Sequence, residues 1–238
     1  DEAYEVMKGS IMNRQLDAEI ETGLRFFGKM TASISHEIKN VMAIINESAG
    51  LLEDYSLMAE KGMPIDPERI KVISGRVAAQ VLRADGIATN MNGLAHSVDD
   101  FRKSVCIRET LTLAVGLTQR LADMRSVALA LKLPSAPPTV ITSPFHLQNL
   151  IWQILDFAMD VSGDGKTVGL TVETGPGPVK IRFTGLEGLP NLSEAAFPTE
   201  KEAALLHMLG ATIYQDVKAR EIHLILPKDI DQQLNDCD

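Results

Sequence analysis

Cysteine is scarce in this chain. The 238 residues include two, Cys106 and Cys237. They lie far apart and in no CxxC pair, which argues against a disulfide framework or a thiolate zinc site. Long apolar runs are missing as well: none approaches the ~18 residues that a bilayer span requires, and the opening residues lack a signal-peptide pattern, so none is expected here. Positive charge is in deficit. The formal net charge is -9, the reverse of the basic face that a nucleic-acid-binding domain presents. No Walker or GxGxxG pattern occurs either, so there is no glycine-rich cradle for phosphates. These absences lead us to expect a cytoplasmic protein with no metal site, no nucleic-acid partner and no membrane contact from this segment. The chain begins DEAYEVMKGS without an initiator methionine, which is compatible with an upstream sensor or membrane segment in a longer parent chain.

What is present is apolar patterning. Hydrophobic residues make up 45% of the chain, enough for a proper core in one large domain or two smaller ones. In the first segment Ile20, Leu24, Phe27, Ile34, Ile38, Val41, Ile45, Leu52 and Tyr55 follow an alternating three–four spacing, interrupted only by Thr31 and Ser48. This is a heptad stripe on a helix. A second segment repeats it with Ile70, Ile73, Val77, Ala84, Ile87, Met91, Leu94 and Val98, with Gln80 as the polar exception. Between them, Gly62 and Pro64 break the first helix. Asp66 is placed to cap the second, with Pro67 at its first position. The pattern predicts two long antiparallel helices joined by a short turn. One hairpin cannot bury both stripes, so a homodimeric four-helix bundle is expected.

His36 sits within the first stripe's helix but off the stripe. With Ile34 and Val41 at d and Ile38 at a, His36 falls at f and faces solvent. Asn40 follows one turn later near the same face, and Glu37 lies on the flank. A surface histidine is common and by itself signals little. An HExxH zinc site is excluded because position 40 is Asn.

The run Ser33–Asn40, SISHEIKN, in its setting of long helix, turn and second amphipathic helix, resembles the phosphoacceptor box of two-component sensor histidine kinases. That resemblance implies phosphorylation of His36 on an imidazole nitrogen. It implies Glu37 as general base and Asn40 as a residue that orients water or the phosphoryl group. It also implies response-regulator receiver domains as partners. Lys39, Met42 and Ala43 are the candidate contacts for such a partner.

The rest of the chain follows the same layout. We expect a short strand, a helix over about 109–124, a strand VALALKL, a proline-rich turn, and a helix capped by Ser143 and started by Pro144. Strands TVGLTVET and VKIRFTG follow around a GPGP turn, then a helix near 200–209 and strands ATIYQD and EIHLILP. The order resembles the α/β ATP-binding domain of those kinases. The expected organisation is a helical extension or linker over 1–17, a dimerisation and phosphoacceptor hairpin over 18–100, and an ATPase-like α/β domain over 101–238. The fold class is α plus α/β.

That second domain lacks the family's donor residues. The family's magnesium-holding Asn falls at Phe157, with Gln153 one turn before. Phe offers no oxygen to a hard cation. The usual lysine falls at Asp160. In the family's DxGxG loop, Thr184 stands at the Asp and Leu186 at a glycine, leaving Gly188. ATP binding is therefore not expected and no cofactor is expected in this chain, with Mg²⁺ residing on the partner receiver domain. This combination resembles kinase-derived histidine phosphotransfer proteins. The alternatives are an ATP-dependent histidine kinase with an atypical nucleotide site, a response-regulator phosphatase using Asn40, and a non-catalytic dimerisation module. His96, His146, His207 and His223 are expected to be structural or surface groups, and Trp152 a core residue.

Overall fold

The computed structural model describes residues 2–163, 166–193 and 196–230, with side chains from residue 20 onward. Two compact units emerge. One is Thr31–Gly93; the other joins the α1 residues up to Met30 with the chain from Leu94 onward. The helical unit is thus shorter than the 18–100 hairpin expected from sequence. The expected boundary at residue 17 falls inside a single helix, α1 (Glu2–Glu60).

The Thr31–Gly93 unit consists of the later part of α1 and α2 (Pro67–His96) up to Gly93. Heptad spacing dictates what it buries: Ile34, Val41 and Ser48 on α1, Ile73 and Ile87 on α2. Ser48 satisfies its buried hydroxyl by donating to the Ile44 carbonyl at 2.8 Å. Midway between Ile73 and Ile87 comes Gln80, whose buried Oε1 has no hydrogen-bond partner among the described residues. The connection forms as predicted. Gly62 adopts φ +69°, a conformation that favours glycine, and Asp66 Oδ1 accepts the Glu68 backbone N–H at 3.0 Å. Other stripe residues remain open to solvent in the single chain, including Ile38 at 37% and Met91 at 44%.

The second unit is α/β. β1 (Lys103–Cys106) pairs antiparallel with β3 (Thr139–Thr142). A five-stranded sheet has the order β2-β4-β5-β7-β6. It comprises β2 (Ala128–Lys132), β4 (Thr167–Glu173), β5 (Val179–Thr184), β6 (Thr212–Asp216) and β7 (Glu221–Leu226). Among the described strands of this sheet, β2 and β4 alone pair in parallel, as strands joined through a helix do; here that helix is α4 (Pro144–Asp160). α3 (Ile107–Arg125) packs beside it, and α5 (Glu200–Met208) precedes β6. Period-2 alternation on β5 buries Val179, Ile181 and Phe183, which share one hydrophobic core with Leu150, Ile151 and Ile154 of α4.

Three details depart from the expectations. The proline-rich stretch is not simply a turn, because Thr139–Thr142 within it forms β3. Ser143 stands at the N-cap of α4, but its hydroxyl meets His146 Nδ1 at 2.7 Å rather than a backbone N–H. Upstream of Thr31, the α1 stripe residues Ile20, Leu24 and Phe27 are exposed, while Phe26 and Met30 are buried. The reason is a change of packing partner: Phe26 meets the rings of Phe145 and Trp152 on α4 at 5.7 and 5.5 Å. Cys106 forms no disulfide, and Cys237 lies outside the described residues.

Candidate functional site

His36 lies in an unbroken stretch of α1, where the buried residues Ile34 and Val41 fix which side faces the hairpin interior. Its side is the opposite one, and it is exposed. Asn40, one turn on, is also exposed and shares that face. Lys39 and Ala43 are exposed, and Met42 is 62% exposed. Glu37 differs from these neighbours. Its side chain is 17% exposed, and its Oε2 lies 3.5 Å from Nη2 of Arg83 on α2. The arrangement offers an imidazole reachable by another macromolecule, a sheltered carboxylate on the adjoining flank, and a carboxamide one turn away. Neutral imidazole is a competent nucleophile near neutral pH. Sequence reasoning did not single out Arg83. Its only signal is a place beside the stripe residue Ala84.

In the α/β unit, the residues aligned with donor positions are bound up in structure. Gln153 is 9% exposed and donates its Nε2 to Asn149 Oδ1 at 3.0 Å. Phe157 stacks on Phe197, centroids 4.5 Å apart and planes 18° apart. Asp160 is exposed and lies 3.2 Å from Arg125 Nε. Thr184 donates its hydroxyl to the carbonyl of Gly169, its cross-strand partner, at 3.5 Å. Leu186 is wholly buried in the core. The Gly188 N–H donates to the Val161 carbonyl at 2.8 Å, tying that loop to the end of α4. Gln153, Phe157 and Asp160 share one cleft; Thr184, Leu186 and Gly188 do not line it.

The remaining histidines vary. His96 is exposed and meets Asp99 at 2.8 Å. His223 is 5% exposed on β7, with Nδ1 2.7 Å from the Tyr214 hydroxyl. Burial lowers the pKa of His223 from its ordinary value, and the nearby Lys180 charge lowers it further, against the opposing pull of Glu221. Lys180 moves the other way, raised chiefly by its hydrogen bond with Tyr214. Trp152 is 5% exposed, on α4. No group of three or more His, Cys, Asp and Glu side chains is placed to hold a metal ion among the described residues. None of the described helices is long and apolar enough to cross a membrane.

No family model matches the chain, and no curated protein does. Among solved structures, it is similar to the catalytic domain of histidine kinase ThkA at 12% identity and TM-score 0.45, covering 55% of this chain and 97% of that one. It is similar to the Acinetobacter baumannii histidine kinase AdeS at 13% identity and TM-score 0.44, covering 81% and 98%. A structure of ThkA in complex with the response regulator protein TrrA matches at 16% identity and TM-score 0.46, covering 96% and 68%. At these identities and TM-scores, the functional argument rests on the chain's own residues.

Proposed function

We propose that this protein relays a phosphoryl group through His36 in two-component signalling, to or from response-regulator receiver aspartates, without using ATP itself. The observation that carries the reading is the exposure of His36 opposite the buried stripe, with Glu37 beside it and Asn40 one turn on. In the charging step, one imidazole nitrogen attacks the phosphorus of an aspartyl phosphate on the partner. An N–P bond forms, the P–O bond to the aspartyl group breaks, and the carboxylate leaves. The proton on the other ring nitrogen passes to the Glu37 carboxylate, so the product is neutral imidazole bearing phosphate. The reverse sequence discharges His36. Mg²⁺ held by the receiver would offset phosphoryl charge there. Lys39, Met42 and Ala43 form the adjoining contact surface. The open stripe residues favour a homodimer, because a four-helix bundle would cover them.

The ATP-independent part of the reading is supported by residue chemistry. Phe157 and Leu186 offer no polar atoms, and Thr184 spends its hydroxyl within the sheet. The test is incubation with Mg²⁺ and γ-labelled ATP, beside incubation with a phosphorylated receiver domain, each with a His36→Ala control. Acid-labile label from the receiver alone, absent in His36→Ala, is the expected result. Label taken from ATP would instead establish a kinase with an atypical nucleotide site. Receiver dephosphorylation that survives His36→Ala and is lost in Asn40→Ala would establish a phosphatase.

A further inference from the structure

The cleft lined by Gln153 and Phe157 has features that the relay leaves unused. It opens between α1 near Thr22–Lys29, the α4 helix and the start of α5, with a cavity of about 270 Å³. Two of its wall residues hold buried polar groups with nothing to bond. Thr22 is 4% exposed and Trp152 5%, and neither Thr22 Oγ1 nor Trp152 Nε1 has a hydrogen-bond partner among the described residues. Leaving such groups unpaired is unfavourable, so each would gain from a polar guest.

The charged groups of the wall are unequally engaged. Each of its carboxylates has a partner: Asp156 and Asp160 share Arg125, at 2.8 and 3.2 Å, and Glu202 takes the Thr199 backbone N–H at 2.7 Å. Its amines are loosely held. Lys29 lies 3.9 Å from Asp156 and 5.0 Å from the Trp152 ring centroid with its side chain 50% exposed, and Lys201 lies 3.9 Å from Glu21 at 43%. The spare capacity is therefore cationic and hydrogen-bond donating. The stacked rings of Phe157 and Phe197 add an apolar wall.

We propose that this cleft binds a small organic anion, a carboxylate or phosphate monoester carried on a flat apolar body. Lys29 and Lys201 face the anionic group, Thr22 and Trp152 donate to its oxygens, and the Phe157–Phe197 pair lies against the body. The cavity falls just below the ~300 Å³ lower end of ordinary ligand pockets, which suits a guest with a single ring. This site belongs to the α/β unit alone and stands whether or not His36 relays phosphate.

Trp152 is the only tryptophan in the chain, so its fluorescence reports on the cleft directly. The experiment titrates the full chain with phenyl phosphate, benzoate, inorganic phosphate and ADP with Mg²⁺, monitoring that emission. The expected result is a saturable change with phenyl phosphate or benzoate, with inorganic phosphate weaker for want of a ring. The tighter of the two ring compounds identifies the head group. Lys201→Met and Thr22→Val should each weaken the midpoint at least about ten-fold while the circular dichroism is unchanged. A non-saturable response to both ring compounds would overturn the proposal, as would midpoints equal in wild type and both variants. Tighter binding of ADP with Mg²⁺ than of either ring compound would also overturn it, making the cleft a nucleotide site.

Discussion

The two units treat the site residues that the sequence singled out in opposite ways. On the hairpin, His36, Lys39 and Asn40 stand exposed on one stretch of helix. In the α/β unit, Gln153 and Thr184 turn their donors inward to Asn149 and Gly169, and Asp160 is tied to Arg125. A group kept available for a partner molecule leaves its own fold little to depend on. A group absorbed into the fold contributes to stability and is lost to ligand chemistry. The difference separates exposed polar groups on the hairpin from polar groups engaged within the α/β unit.

That contrast can be broken or sharpened by substitution. The largest effect belongs to His36→Gln, which should abolish phosphoryl uptake from a phosphorylated receiver while leaving the melting temperature unchanged. Phosphoprotein gel shift beside calorimetry checks both halves, and a large drop in melting temperature would show that His36 supports the fold after all. Ile154→Ala should do the reverse. It removes a fully buried α4 side chain and should cost about 2–5 kcal/mol by denaturant titration, with His36 chemistry persisting wherever the protein remains folded. Glu37→Gln should slow phosphoryl uptake by about 10²-fold if the carboxylate takes the proton; an unchanged rate in rapid-quench assays would remove it from the mechanism.

Smaller effects probe the buried polar exceptions on each side. Gln80→Leu removes an unpaired buried oxygen and should raise hairpin stability by about 1 kcal/mol, measurable as a shift in urea midpoint. The smallest effect is a pH dependence in the α/β unit. The folded-state pKa of His223 lies below its ordinary value of 6.5. The unfolded chain therefore binds the proton first. Stability should be full above about pH 6.5 and fall as pH drops through the lowered folded-state value. His223→Gln should flatten that slope in melting curves recorded across acid pH.

Much of this was legible in the sequence because it depends on spacing. The heptad repeats located the hairpin, and Gly62, Asp66 and Pro67 marked its turn, since these residue types suit few other backbone positions. The f position of His36 followed from Ile34 and Val41. Choices of partner were not legible. Nothing in the repeat distinguishes Phe26 from Phe27 until α4 supplies Phe145 and Trp152 to receive it. Arg83 was invisible for the same reason: its meeting with Glu37 depends on how α1 and α2 align. Prolines concealed β3, whose strand identity comes from pairing with β1 rather than from its own composition. Ser143 was recognisable as a cap by type and position, but His146 competes for its hydroxyl.

Gln80 has a consequence beyond its effect on stability. A lone amide in an otherwise apolar stripe is tolerated best when an identical stripe brings a second amide opposite it. In the proposed homodimer, two Gln80 amides brought face to face would satisfy each other, while a foreign hairpin with leucine at that height would leave the amide stranded. In a cell holding many similar hairpins, one uncomfortable glutamine would then act as a password, admitting self and turning away near relatives.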